Sequence, residues 1–265
     1  MKLIVAMLLA GLLGTARAQQ ERLVPALGAI ERGDYSQAID ALTRLAEGGM
    51  LEAQYVLGST LERAPAPHAD LNAAHAWYLR AAKSGHPAAQ NNLGAMYFDG
   101  RGTERDFAAA LGWYRQAADQ GSVEAQHNLA LMYGQGIGTA RDTPEMAKWL
   151  RRAAGAGAAR SQAQLGRLYL DGEGVSPDPT EAAKWFRLAA AQGHRAAQYF
   201  LASMLQKGVG LGRDLEAAHD LFLKAAEGGE TLAMRELATI YEMGLGVPSD
   251  PQKAKHWKER AGRAP

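Results

Sequence analysis

The sequence predicts an all-α fold, a stacked array of repeated helical units. One skeleton returns every 36 residues, from Ala53, Ala89, Ala125, Ser161, Ala197 and Ala233. A fixed period of this length marks a solenoid whose units chiefly contact their neighbours. Each unit carries two segments of apolar residues at helical spacing, punctuated by Gly and Asp at fixed positions. No stretch alternates as a half-buried strand would.

The first segment, Met1–Ala18, reads as a secretory signal peptide. Lys2 gives the positive start, Leu3–Leu13 is apolar, and Ala16-Arg17-Ala18 is a small-x-small cleavage site that leaves Gln19 first. The apolar run is about half of the ~20 residues a spanning helix needs, so an uncleaved anchor is disfavoured. Removing Lys2 and Arg17 takes 29 basic residues to 27 against 28 acidic, a net charge of −1. That balance excludes the basic excess expected of a nucleic-acid binder. Without Cys there is no disulfide, no thiol nucleophile and no cysteine for lipid attachment. With an export leader, this composition suits a bacterial periplasm and stability drawn from packing.

Residues 19–52 form a divergent N-terminal helix pair. Leu23, Leu27 and Ile30 space one helix; Ala38, Ile39, Leu42, Leu45 and Ala46 space the next, with Gly33-Asp34 between them. Six units follow at 53–88, 89–124, 125–160, 161–196, 197–232 and 233–265. With the first residue counted as zero, position four is always Leu and position five always Gly or Ala. Position eight is Leu or Tyr. These lie on one helical stripe, where the small residue admits a close partner helix.

Gly at positions eleven and thirteen then ends the helix and redirects the chain, as at Gly100 and Gly102. The first unit has Ala64-Pro65-Ala66-Pro67 instead, so its turn is expected to differ. Position seventeen is Asp in all six units: Asp70, Asp106, Asp142, Asp178, Asp214 and Asp250. These read as N-caps, each contributing about 1 kcal/mol. Glu145 and Glu181 stand at capping-box spacing. A metal site is disfavoured because no loop concentrates enough further oxygen ligands.

The second helix is apolar at positions twenty-one, twenty-four, twenty-five, twenty-eight and twenty-nine. All five Trp occupy position twenty-four: Trp77, Trp113, Trp149, Trp185 and Trp257. Core packing explains that placement better than sugar stacking, and Trp113→Ala is expected to cost about 3–5 kcal/mol.

The motif Ala89, Leu93, Gly94, Tyr97, Gly100, Gly102, Asp106, Ala110, Trp113, Tyr114, Ala117, Ala118, Gly121 resembles the Sel-one-like repeat (SLR) family, a tetratricopeptide-like branch, across nearly all of Ala53–Pro265. The resemblance implies a right-handed α-solenoid, a superhelix of antiparallel helix pairs with first helices on the concave face and second helices on the convex face. It also implies adaptor or scaffold work through protein–protein contacts, and exported bacterial members that serve in the envelope or meet host proteins.

A helix advances about 100° per residue, so positions two, six and nine cluster away from the packing stripe. By the tetratricopeptide analogy they line the groove. The candidate partner-binding residues are Tyr55, Asn91, Phe98, His127, Arg167, Tyr199 and Arg235, with Arg160 added from a preceding position. Aromatic residues and Arg dominate binding hot spots, and this mixture suits an extended peptide or a partner helix. The competing reading makes the aromatics interhelix packing residues.

No catalytic, cofactor or metal residues are assigned. The sequence has no G-x-S-x-G, H-E-x-x-H or G-x-x-x-x-G-K-[ST] signature. The Gly-rich runs 134–138 and 208–212 follow helices, which removes the dinucleotide context. The reading is therefore a non-enzymatic periplasmic scaffold that binds an envelope protein or peptide. It carries no nucleic acid, no cofactor and no stable membrane span after leader cleavage. The alternatives are a hydrolase of cell-wall material or β-lactams, and a secreted or surface factor that binds a host protein. The hydrolase is suggested only by a cysteine-rich sub-branch of the family that this cysteine-free chain does not match.

Overall fold

A computed structural model describes the backbone of residues 15–263 and side chains from residue 20. Fourteen helices and no strand occur among the described residues. They are α1 (Thr15–Arg32), α2 (Tyr35–Glu47), α3 (Leu51–Arg63), α4 (Leu71–Lys83), α5 (Pro87–Asp99), α6 (Phe107–Asp119) and α7 (Val123–Gln135). Then come α8 (Thr143–Gly155), α9 (Ala159–Asp171), α10 (Pro179–Ala191), α11 (Arg195–Lys207), α12 (Leu215–Glu227), α13 (Thr231–Met243) and α14 (Pro251–Gly262). The expected leader lies outside the described residues as far as residue 14; Thr15–Ala18 form the first turn of α1.

The backbone groups into two units. One runs to Leu129 and includes Ile137–Thr139; the other comprises Ala130–Gly136 and the chain from Ala140. In the first, each helix from α1 to α5 packs on the one after it; in the second, each from α8 to α13 does the same. Short connections between consecutive packed helices make the pairs antiparallel.

Each regular pair is locked at one place by Gly and Asp. Gly100 caps α5 at φ 71°. The Asp106 carboxylate accepts the Ala109 N–H at 2.9 Å, and the Asp106 N–H donates to the Tyr97 carbonyl at 2.9 Å. The same two bonds form at all six Asp, so position eight of the first helix fixes the start of the second. Asp34 caps α2 likewise. The capping boxes are not completed. The Asp142 and Asp178 N–H groups already donate to Tyr133 and Tyr169, and the Glu145 and Glu181 carboxylates bind Lys148 and Lys184 instead.

The second glycine of the turn has a role beyond its positive φ. A Cβ on Gly102 would fall 2.1 Å from the carbonyl oxygen of Leu71, the first residue of the preceding second helix. Gly138 stands likewise against Phe107, Gly174 against Thr143 and Gly210 against Pro179, at 2.5, 2.3 and 2.3 Å. The missing side chain thus seats one repeat on the last.

The core is built from positions four, five and twenty-five. Leu57, Leu93, Leu165 and Leu237 are fully buried. The ring of Tyr78 lies over Gly58, and that of Tyr114 over Gly94; a Cβ on either glycine would meet its ring at 2.8 Å. Phe186 faces Gly166 in the same way, whereas Leu150 occupies the corresponding place where position five is Ala130.

Position twenty-four behaves differently from the expectation. Trp149 and Trp257 are buried, but Trp77, Trp113 and Trp185 are only half-buried. Position twenty-four lies about 100° before position twenty-five, on the flank of the apolar face. Arg guanidiniums cover the outer ring faces of Trp77, Trp149 and Trp257 at 4.8, 4.6 and 5.1 Å. The deepest second-helix side chains are Tyr78, Leu150, Phe186 and Phe222, one position later.

A row of buried glutamines joins successive pairs. The Nε2 groups of Gln54, Gln90, Gln126, Gln162 and Gln198 donate to the carbonyls of Ala46, Ala82, Ala118, Ala154 and Ala190 at 3.1–3.3 Å. Each of these carbonyls lies in the last turn of its helix and also accepts the N–H of the glycine three residues on, so the glutamine takes its second lone pair. The Gln90 Oε1 accepts from Gln120, and the Gln162 Oε1 from Gln192. Gln54 has Ser84 in the place of Gln120, and its buried Oε1 has no partner among the described residues. Ser84→Gln is expected to raise the free energy of unfolding by about 1 kcal/mol by satisfying that oxygen. Urea denaturation measures the gain, and an unchanged midpoint would contradict the pairing.

Candidate functional site

The candidate residues divide between the two units. Tyr55, Asn91, Phe98 and His127 belong to the first; Arg160, Arg167, Tyr199 and Arg235 belong to the second.

In the first unit α3 presents Tyr55, Ser59 and Glu62 at successive turns, none of them fully buried. Tyr55 stacks on His86 with ring centres 4.6 Å apart, and its hydroxyl is held above the ordinary range by burial. His86 caps α5: its Nδ1 accepts the Ala89 N–H at 3.2 Å, so the neutral ring donates from Nε2 to Glu52, 3.1 Å away. The Tyr78 hydroxyl donates to Glu62 at 2.8 Å and accepts from Asn92 at 3.0 Å, and Arg101 pairs with the same carboxylate. Asn128 donates to Asn91 at 3.2 Å. Phe98 packs edge-on against Phe107 at 5.2 Å. The surface therefore has half-exposed aromatics over a tied network of amides and carboxylates.

The same first unit contains a cavity of about 100 Å³ between α1 and α3. Leu27, Ile30, Tyr35, Tyr55 and Val56 form its apolar walls, with Glu31 and Arg63 also lining it. Of the predicted stripe, Tyr55 and Ser59 line this cavity.

In the second unit Tyr199 packs edge-on against Phe200 at 5.3 Å and leans on Phe222 at 5.8 Å. The Arg167 guanidinium lies 5.9 Å from the Phe200 ring and pairs with Asp171 at 3.4 Å. Arg160 and Arg235 are exposed. Ala163, expected on the same stripe, is buried, because position two borders the packing face. The aromatic candidates are thus both packing residues and part of the accessible surface. Charges of both signs stand around them: Arg167 is paired with Asp171, and the carboxylates of Glu236 and Glu230 act on the Tyr199 hydroxyl.

His194 caps α11 through Nδ1, which accepts the Ala197 N–H at 3.3 Å. Burial, and then the charge of Arg160, holds its pKa below the ordinary histidine value. Burial also lowers that of His75. Such groups favour the folded state fully above the unfolded value of about 6.5, and that stability is lost as the pH falls through the lower folded values. The melting temperature is expected to decline between pH 7 and pH 5, less steeply in His194→Asn, which keeps a capping acceptor that does not protonate. Identical slopes for wild type and variant would contradict the linkage.

Neither the histidine caps nor the position-one glutamines were anticipated from the sequence. The glutamines carried a signal, since five recur at one position; histidine is not a usual cap and carried none. Among the described residues no cluster of His, Asp and Glu is arranged to hold a metal ion. No helix among them is long and apolar enough to cross a membrane.

Consecutive helix pairs tied through glutamines, glycine contacts and Asp caps, with aromatic and charged side chains at their surface, define a helical-repeat array. The chain belongs to the Sel1 repeat family: the family's repeat matches at residues 51–86, 87–122, 123–157, 159–194, 195–230 and 231–264. These repeats start with the first helices, two residues before the units counted from Ala53. Sel1 repeat proteins are generally protein-interaction scaffolds.

The chain is 35% identical to c5321, a protective antigen present in uropathogenic Escherichia coli strains displaying an SLR fold, with a TM-score of 0.86. The likeness covers 94% of this chain and 54% of that one, so the chain spans about half of the antigen's length. It is 34% identical to a Sel1 repeat protein from Oxalobacter formigenes, with a TM-score of 0.74, over 89% of this chain and 96% of that one. No curated protein matches the chain.

Proposed function

We propose that this chain is a non-enzymatic scaffold that is exported to the bacterial periplasm and binds another envelope protein through the half-exposed rings of Tyr55 and Phe98 in the first unit and Tyr199 in the second. The leader-like Met1–Ala18 motivates the address. The observation that carries the binding role is the seating of those three rings. Each rests against another ring, so its orientation is set while part of it stays open to solvent. A preset aromatic contributes contact area with little loss of side-chain freedom on binding.

The test is recovery of partners from an envelope extract by wild type and by a folded Tyr55→Ala/Phe98→Ala/Tyr199→Ala variant. The variant is expected to lose the partner; equal recovery would sink the assignment to these rings. A surface or secreted position is the second reading, favoured by the likeness to a protective antigen. Fractionation of producing cells separates the two addresses.

A further inference from the structure

The cavity between α1 and α3 sits where the repeat rule is broken. In the regular repeats with a Gly-x-Gly turn, the second glycine closes onto the first residue of the preceding second helix, as Gly102 does onto Leu71. The corresponding residue of the first repeat is Ala66, and the corresponding helix start is Tyr35 of α2. An alanine brings a Cβ to a place where the other turns have none. Here α3 ends in extended backbone at Ala64, and the turn closes on itself through His68 N–H to Pro65 carbonyl at 3.0 Å. Tyr35 is left lining the space. On the other side α1 stays helical to Arg32, directly before Gly33, and its last turns supply Leu27 and Ile30 as the facing wall.

Three properties of this space define what fits it. Its volume, about 100 Å³, is that of one large apolar side chain, well below the ~300–1,000 Å³ of pockets that hold whole small molecules. Its walls are apolar. Arg63, among its lining residues, is exposed, forms no ion pair among the described residues, and acts on the Tyr55 hydroxyl more strongly than any one of the carboxylates of Glu52, Glu62 and Glu124, which oppose it. Glu31, on the α1 side, makes that wall negative, so an anion is favoured only on the α3 side.

We infer that this cavity anchors an extended partner segment by one bulky aliphatic or aromatic side chain, with an acidic residue beside it in the segment held by Arg63. The inference rests on the interaction reading above and names the chemistry of its partner at this end of the chain.

The probe is a fluorescein-labelled peptide Gly-Ser-Leu-Glu-Ser-Gly, read by anisotropy against the full chain, beside versions with Ala for Leu and Lys for Glu. The parent is expected to bind about tenfold or more tightly than either. Arg63→Glu, an exposed change that leaves the fold intact, is expected to reverse the Glu-over-Lys preference. Ser59→Phe is expected to fill the cavity and abolish binding with an unchanged circular dichroism spectrum. Equal binding of the Leu and Ala peptides, indifference to Arg63→Glu, or no binding of any peptide would overturn the inference. Partner recovery from the envelope extract by Arg63→Glu separates the two levels: full recovery without peptide selectivity removes the cavity and leaves the scaffold standing.

Discussion

Tyr78→Ala is expected to lower the free energy of unfolding by about 3–5 kcal/mol, as for other fully buried aromatics cut back to alanine. The ring has no exposed surface and rests on Gly58, which has no side chain to move into the space. The loss is also polar. Burial, and then the adjacent Glu62 carboxylate, keeps the Tyr78 hydroxyl protonated far above the ordinary phenol range. That hydroxyl donates to Glu62, whose side chain is only 11% exposed. Truncation leaves a mostly buried carboxylate with one donor fewer, although Arg101 remains. Tyr78→Phe isolates this part and is expected to cost about 1–3 kcal/mol. Trp113→Ala, on the half-exposed flank, is expected to cost clearly less than Tyr78→Ala. Urea denaturation of the three variants decides the order; a larger loss at Trp113 would restore the tryptophan as the core anchor.

The fold was legible because its rules repeat. Six Leu at position four, six Asp at position seventeen and paired glycines are redundant signals, and one divergent unit cannot hide them. The tryptophan assignment held for Trp149 and Trp257, whereas Trp77 and Trp113 pack against the core yet stay half-buried, because the deepest position is the next one. Their type and period fit a core residue, but burial turns on 100° of helix rotation that a five-position apolar face does not resolve. The surface was less legible. The rings of Tyr55, Phe98 and Tyr199 were placed on a stripe facing away from the core, and each also packs on a neighbouring ring. Their partners His86, Phe107 and Phe200 occupy unrelated repeat positions, so periodicity could not pair them. The cavity follows from where the chain departs from its rule. The sequence marks that departure at Ala64-Pro65-Ala66-Pro67 but does not say where the redirected turn goes.

Gly102→Ala puts the same issue to a direct test and is expected to cost about 3 kcal/mol. The φ of 65° there accounts for about 1–2 kcal/mol with any side chain. The Cβ would lie 2.1 Å from the Leu71 carbonyl oxygen and 2.6 Å from its carbon, so backbone must part from backbone, an overpacking cost of about 1–3 kcal/mol. Gly112→Ala is the control. It lies inside α6 with nothing within 4 Å of its Cβ, and is expected to gain about 0.5–1 kcal/mol from helix propensity. One substitution type thus has opposite signs 10 residues apart in the sequence, and equal signs in urea denaturation would refute the contact assignment. The consequence extends beyond stability, because an array of repeats is held together by nearest-neighbour interfaces. Lifting the turn from Leu71 weakens one such interface, so the variant's unfolding transition should broaden as well as shift. The first repeat already carries alanine at this position, and there the turn meets α2 through the rings of His68 and Tyr35, 6.0 Å apart, beside the open cavity. The glycine that closes one repeat onto the next is, by its absence at Ala66, what leaves room for a partner.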